Sequence, residues 1–373
     1  MSGIEIKKVT NRRGLRQFVT FPERLYKDCP NWVPPLVGDE YDTFNPRKND
    51  AYAFCEAECF LAVRDGGVVG RVAAIINHKA DDADLAVRFG WLDFVDDIEV
   101  LKALMDQVAK LGEQRGRKVM KGPWGFTDMD KEGLLVEGYE HLSPFTCLYN
   151  YPYYDVLLSQ LGFEKDVDWT QRAMTVSTEL PPMFQYANLV EERFGVHVVH
   201  PRSTRQLARR YGKAIFHMYN EAFAPLENFS PLTDEQIDNY LSTYVPIMDK
   251  DFVALAVGKD DHPVGFLFCA PSLSKAVKRA RGRLFPFGFT HILRALKHND
   301  TLEALLIGVM PEYQGCGVPV LLFKYIHENC IRRGIRSIIF NPQLEENHKV
   351  QNLFGDYHPE PYMRRRAYRK VIA

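Results

Sequence analysis

The sequence predicts two tandem α/β domains built to one plan. Three observations carry this. An order of strand pair, strand, helix and strand occurs once in each half of the 373-residue chain. Each of those helices ends in Arg-Gly, at Arg115–Gly116 and Arg333–Gly334, where a glycine helix stop belongs. Each following strand then runs into a proline, Pro123 or Pro342. The repeat period of about 200 residues is too long for a solenoid and suits duplicated domains.

In the first half, CFLAVRD and VVGRVAAII (59–76) read as strands, followed by GWLDFV. EVLKALMDQVAKLGEQRG is a helix by its apolar spacing, and RKVMKGP the strand after it. In the second half, DFVALAVGKDDHPVGFLFCAP predicts a hairpin turning at KDDHP. ALLIGVM is the next strand, PVLLFKYIHENCIRRG the helix and IRSIIFNP the last strand. Each half then carries an Asn followed by a short helical pattern and a glycine, from Asn150 and from Asn347. Two prolines in TELPPMF (178–184) interrupt the pattern and place the boundary, giving domains 1–178 and 179–373.

Composition narrows the function classes. With 46% hydrophobic and 25% charged residues the chain is an ordinary globular one. A net charge of −1 supplies no global field for nucleic acid or membrane, so any such attraction is local. The N-terminus has no apolar signal segment and no run reaches about 18 apolar residues, which leads to the expectation of a cytoplasmic protein, at most peripheral to the inner membrane. Seven cysteines without a CxxC pair read as reduced thiols, and no metal site is expected.

The stretch VMPEYQGCGVP (309–319) lies between strand and helix. Glycines there let the backbone approach an anion, and the N–H groups at a helix N-terminus carry partial positive charge. Pro319 removes one donor, but proline is tolerated in a first helical turn. Counting back from Arg115–Gly116, the first half has Asp96-Asp97-Ile98-Glu99 at this position, with no glycine and three carboxylates that would repel a phosphate.

The strand, Gln314-Gly315-Cys316-Gly317-Val318-Pro319 and the helix resemble the Q/R-x-x-G-x-G/A turn of the GNAT acyltransferase superfamily. The duplicated halves are similar to tandem GNAT chains, each domain a mixed central sheet flanked by helices. NWVPPL, VGRVAA, GPWGFTDMDKEGLLVEGY and YNYPYYDVLL, mostly within 30–165, resemble the YghO-like group, which includes the bacterial ceramide synthases. The resemblance implies that Gln314, Gly315, Cys316, Gly317, Val318 and Asn347 hold the pyrophosphate arm of acyl-coenzyme A. It implies an oxyanion donor at Val309–Met310 and direct attack of an amine on the thioester, the donor being acyl-CoA or acyl carrier protein. Glu303, eleven residues before Gln314, matches a general-base position; the alternative is a solvent-facing glutamate. The family's usual acid, a tyrosine seven residues after the Asn, is Phe354 here, which leaves Tyr357 or Tyr362 as substitutes.

Two further segments bear on the acceptor. Asp128, Asp130 and Glu132 form an acidic loop that either binds an amine or is simply solvated. The stretch 272–299 holds seven cations (275, 278, 279, 281, 283, 294 and 297), no acid, and Phe285, Phe287 and Phe289. That mixture suits a membrane surface or lipid gate, with Phe287 and Phe289 as lipid contacts; the alternative is a charged helix packed on its domain. No nucleic-acid module is recognisable, so an aminoacyl-tRNA donor finds no support. The expected activity is N-acyl transfer from acyl-CoA to an amine, a sphingoid-type lipid amine by resemblance. Acetyl transfer to a small amine and non-catalytic sensing of acyl-CoA are the alternatives.

Overall fold

The computed structural model describes residues 3–80, 82–224 and 231–372. The first half comprises strands β1 (Glu5–Lys8), β2 (Cys55–Arg64), β3 (Gly67–Asn77), β4 (Ala86–Phe94), β5 (Val119–Gly122), β6 (Leu134–Glu137) and β7 (Glu164–Thr175). Its helices are α1 (Arg12–Leu25), α2 (Val37–Thr43), α3 (Ile98–Gln114) and α4 (Tyr153–Gln160). The second half comprises β8 (His197–Val198), β9 (Val253–Val257), β10 (Pro263–Pro271), β11 (Thr301–Val309), β12 (Ser337–Phe340), β13 (Gln343–Leu344) and β14 (Glu360–Val371). With them run α5 (Ala187–Phe194), α6 (Thr204–Phe223), α7 (Asp234–Tyr244), α8 (Ser274–Arg279), α9 (Gly288–Lys297), α10 (Val318–Arg333) and α11 (His348–Asn352).

The hairpin, the two Arg-Gly helices and the strands after them form as the pattern predicts. Gly116 and Gly334 both take left-handed backbone, at φ 69 and φ 70, which stops α3 and α10 without Cβ strain. α6 and α7 were not assigned from the sequence. Yet α6 has an N-cap, Ser203 accepting from Gln206 N, and α7 a full capping box from Thr233 and Gln236.

All strands join one sheet, in the order β1-β2-β3-β4-β5-β14-β7-β12-β11-β10-β9-β8, with β6 on β14 and β13 on β7. The final strands of the two halves are thereby exchanged. β14 lies against β5 of the first half, and β7 lies against β12 of the second. Between them β14 and β7 pair antiparallel from Glu360↔Ala173 to Arg369↔Glu164, the longest ladder across the seam.

One buried carboxylate ties this seam. Asp168 on β7 accepts from Arg364 Nε at 2.8 Å, and from Arg366 Nε at 2.8 Å and Nη2 at 3.0 Å, with Lys165 Nζ 3.4 Å away. Burial alone would raise this carboxyl, but the arginine hydrogen bonds outweigh it and hold the group below its ordinary range. α3 covers one face of the first half with Leu101, Leu104 and Val108. α10 covers the same role in the second with Leu322, Phe323 and Ile326, while α6 packs on the opposite face with Leu207, Tyr211 and Ile215.

Candidate active site

In the second half β11 and β12 run parallel only from Thr301↔Ser337 to Ala304↔Phe340, after which β11 continues alone on that side. The sheet therefore splays open along residues 305–309. On its other edge β11 stays paired with β10, and Met310 N–H donates to the Val264 carbonyl at 3.0 Å. Met310 is thus spent as an oxyanion donor. In an antiparallel ladder the neighbouring residue points its N–H the other way, so Val309 aims its N–H into the opening.

Leu305 is a β-bulge, since Phe268 faces Leu306 while Cys269 faces Ala304. The bulge exchanges the faces of the strand. Leu302 and Ala304 pack with α10, whereas beyond the bulge Leu306 and Met310 pack with α6 and Ile307 and Val309 with α10. Glu303, between Leu302 and Ala304, accordingly faces the α6 side and the first half.

Glu303 is 6% exposed, which excludes the solvent-facing alternative. Its Oε1 accepts from Ser272 Oγ at 2.7 Å and Ser274 Oγ at 3.3 Å, and its Oε2 from Thr146 Oγ1 at 3.4 Å. Burial raises its carboxyl above the ordinary range, and these hydroxyls and the nearby Lys131 ammonium oppose the rise. Lys131 is half-buried with its ammonium 5.1 Å from the Phe145 ring, and burial pulls its basicity down. Thr146 and Lys131 come from the first half. That half therefore supplies side chains to the carboxylate's pocket.

Tyr362 sits at a bulge of β14, its hydroxyl donating to the Leu142 carbonyl at 3.1 Å and its ring stacked on His141. Burial pushes its hydroxyl up to about 12, with the Glu303 and Cys147 charges adding to the effect. Tyr357 lies elsewhere. Its ring meets Phe184, Phe323 and His327 on the α10 face, the side of the sheet away from Glu303. Of the two substitute acids only Tyr362 shares a face with the carboxylate.

At the far end of β11 the glycine turn forms as predicted, with Gly315 at φ 80 and Gly317 at φ 78. Gln314 folds back, its Nε2 3.4 Å from the Val309 carbonyl. The resemblance placed Gly315, Cys316, Gly317 and Val318 around the pyrophosphate arm. Cys316 N–H instead donates to the Tyr313 carbonyl at 3.2 Å, and Val318 is wholly buried. Gly315 and Gly317, at the head of the 16-residue α10, remain as solvent-reaching residues with no carbonyl partner among the described residues. A Cβ on Gly317 would meet Val190 Cγ2 at 2.7 Å. Asn347 caps α11, its Oδ1 accepting from Val350 N at 3.2 Å, so its carboxamide oxygen positions backbone.

The first half shows the same place closed. β4 outlasts β5 in the same way, pairing only from Ala86↔Val119 to Arg88↔Lys121. Its end is filled, however, because Phe94 N–H donates to the Tyr154 hydroxyl at 3.1 Å and the Tyr153 hydroxyl donates to the Phe94 carbonyl. Where the second half has its glycine turn, Asp97 caps α3 through Glu99 N at 2.9 Å and pairs with Arg64 at 2.7 Å. Among the described residues, only the second half keeps both an open strand edge and an open turn.

The acidic loop lies on the α6 face. Asp128 Oδ2 accepts from the Tyr219 hydroxyl of α6 at 2.7 Å. Asp130 accepts from Thr127 N at 3.0 Å and so closes its own loop; burial pushes its carboxyl up to about 6. Glu132 is raised well above its ordinary range by burial and then by the Asp128 charge. Phe287 and Phe289 stand on the surface, 74% and 39% exposed.

No family profile matches the chain. A structure of a tandem GNAT protein from the clavulanic acid biosynthesis pathway superposes on the full length at a TM-score of 0.58 and 13% identity, covering 100% of this chain and 99% of the other. The chain has the tandem GNAT fold. A GCN5-related N-acetyltransferase from Sphaerobacter thermophilus matches at a TM-score of 0.51 and 13% identity, over 99% of this chain and 96% of that one. Among curated proteins, YghO of Escherichia coli is 27% identical over 98% of this chain and 95% of its own length. A bacterial ceramide synthase of Caulobacter vibrioides is 25% identical over 96% of this chain and 95% of its own. The chain thus resembles, over nearly its whole length, the group its first-half motifs indicated.

The sequence did not point to Thr146, Ser272, Ser274 or Lys131. Ser272 and Ser274 follow β10 and reach Glu303 through the β10–β11 pairing, while Thr146 sits in a first-half loop and reaches it across the seam. Lys131 carried a faint signal, as the one cation inside the acidic loop.

Proposed function

We propose that this chain is an acyl-CoA-dependent N-acyltransferase that passes a long-chain acyl group to a sphingoid-type lipid amine. The observation that carries the reading is the pairing, in the second half alone, of an open glycine turn with a splayed strand and a buried carboxylate on that strand. The Gly315 and Gly317 amides at the α10 N-terminus suit a pyrophosphate. The Val309 N–H suits the oxygen of a tetrahedral intermediate. Glu303 removes the proton of the attacking ammonium or amine, and Tyr362 returns one to the leaving thiolate. The acyl carbon–sulfur bond breaks as the acyl carbon–nitrogen bond forms. Negative charge on the loop at Asp128 and Asp130 draws the cationic acceptor toward the α6 face. The likeness to a ceramide synthase supports a lipid amine and a fatty acyl donor.

Incubation with palmitoyl-CoA or acetyl-CoA, each with and without sphinganine, tests this through thiol release and product mass. The expected result is release from palmitoyl-CoA that requires sphinganine and yields the N-acylated product. Release from acetyl-CoA with a small amine only would replace the lipid reading, and binding without turnover would favour a sensor. Gly317→Ala tests the turn separately. Its Cβ strikes Val190 and its φ of 78 is unfavourable to a side chain. Coenzyme A affinity by calorimetry should fall roughly 10–100-fold, as for loss of about 1.5–3 kcal/mol of charged hydrogen bonding. Unchanged affinity would move the pyrophosphate elsewhere.

A further inference from the structure

The segment 272–299 folds into α8, a connecting loop and α9, and the structure shows what it leaves uncovered. α9 is ten residues long and none of them is buried. Phe285 is 81% exposed, Phe287 74% and Leu293 52%, and the Phe285 and Phe289 rings lie 6.1 Å apart. Phe289, Leu293 and Lys297 follow at steps of four and therefore form one stripe along α9. Lys275, Arg279, Arg281, Arg294 and Lys297 are also exposed, and the segment contains no acid.

The segment is not a loose arm waiting to fold back. Val37 N–H donates to the Gly282 carbonyl at 2.8 Å, Arg283 pairs with Glu23 at 2.8 Å, and the Lys278 ammonium donates to the Pro30 carbonyl. These contacts fix it to the first half and use two of its cations there. The exposed phenylalanines, held in place, remain directed outward among the other cations.

We propose that the α8–α9 face docks this protein on a lipid bilayer bearing anionic headgroups. Aromatic side chains seat in the headgroup region and flanking lysines and arginines meet the anionic surface, so both halves of the pattern are used by one partner. A nucleic acid would use the cations but leave the aliphatic Leu293 and the phenylalanine stripe exposed. The docking face also adjoins the active site, because the first residue of α8, Ser274, donates to Glu303 at 3.3 Å. The proposal does not depend on the acceptor being a lipid, and its test needs no turnover.

The full chain would be sedimented with vesicles of phosphatidylcholine alone and of phosphatidylcholine with one-third phosphatidylglycerol, at low and high salt. The expected result is binding to the anionic vesicles that weakens with salt and falls at least about tenfold in Phe285→Ala/Phe287→Ala. These side chains are exposed, so the variant keeps its fold, which far-UV circular dichroism verifies. A second variant, Arg294→Glu/Lys297→Glu, should lose binding to the same vesicles. Equal binding to both compositions, or none to either, would overturn the proposal. So would tighter binding to a random RNA duplex that survives the phenylalanine changes.

Discussion

Glu303→Gln should lower turnover by about 10²–10⁴-fold and leave coenzyme A affinity unchanged. The substitution keeps the side chain's shape: its amide oxygen still accepts from Ser272 and Ser274, and its NH2 group donates to the Thr146 hydroxyl with the direction of that bond reversed, so the pocket stays intact. What it removes is the group that takes a proton. The pH profile supplies a second readout. Burial raises the Glu303 carboxyl above the usual glutamate range, and a base works only when ionised. Activity of the native protein should therefore fall on the acid side through a pKa above about 4.3, the ordinary glutamate value. The residual activity of Glu303→Gln should show no such limb. Native-like turnover in that variant would remove Glu303 from the chemistry, leaving a buried carboxylate whose role is to hold the seam.

The second large effect is on folding. Asp168→Asn leaves Arg364 and Arg366 facing a neutral amide at the ladder that joins the two halves. Breaking a fully buried ion pair costs about 3–5 kcal/mol. The two guanidiniums here are 26% and 27% exposed and can recover some hydration, so about 2–3 kcal/mol is expected. The sign with pH follows from the depressed carboxyl. Its contribution is complete above the unfolded value of about 3.9 and fades as pH drops through the lower folded value. Thermal unfolding should show native and variant well separated at neutral pH and converging below about pH 4. A constant gap at all pH values would mean that shape, not charge, holds β7 to β14.

Much of the fold was legible because it rests on local rules. The Arg-Gly stops of α3 and α10, the hairpin turn at 258–262 and the strand–glycine–helix turn are each written in a few neighbouring residues. β14 was not legible. Its buried side chains include Arg365, 1% exposed, and its half-buried ones Arg364 and Arg366, so PYMRRRAYRK lacks the apolar alternation that marks a strand. β7 hides in the same way, with Asp168 and Gln171 both 2% exposed.

The candidate site divides along the same line. The glycine turn was indicated by its own residues, Glu303 by its spacing to that turn in the family resemblance, and the acidic counterpart in the first half by counting back from Arg115–Gly116. The amides could not be counted, because whether Cys316 N–H or Met310 N–H is free depends on which carbonyl the fold brings beside it. Nor could the faces. The bulge at Leu305 exchanges the faces of β11 beyond Glu303, and Tyr357, after α11, packs on the α10 side away from that carboxylate.

By itself the sequence determined two α/β halves, one of them with a strand–glycine–helix turn, because short-range backbone preferences fix helices, turns and strands. Tertiary structure alone decided that the halves exchange their last strands and that Thr146 and Lys131 meet Glu303. Those contacts join residues more than a hundred positions apart, and no local pattern encodes a pairing that only the assembled sheet creates.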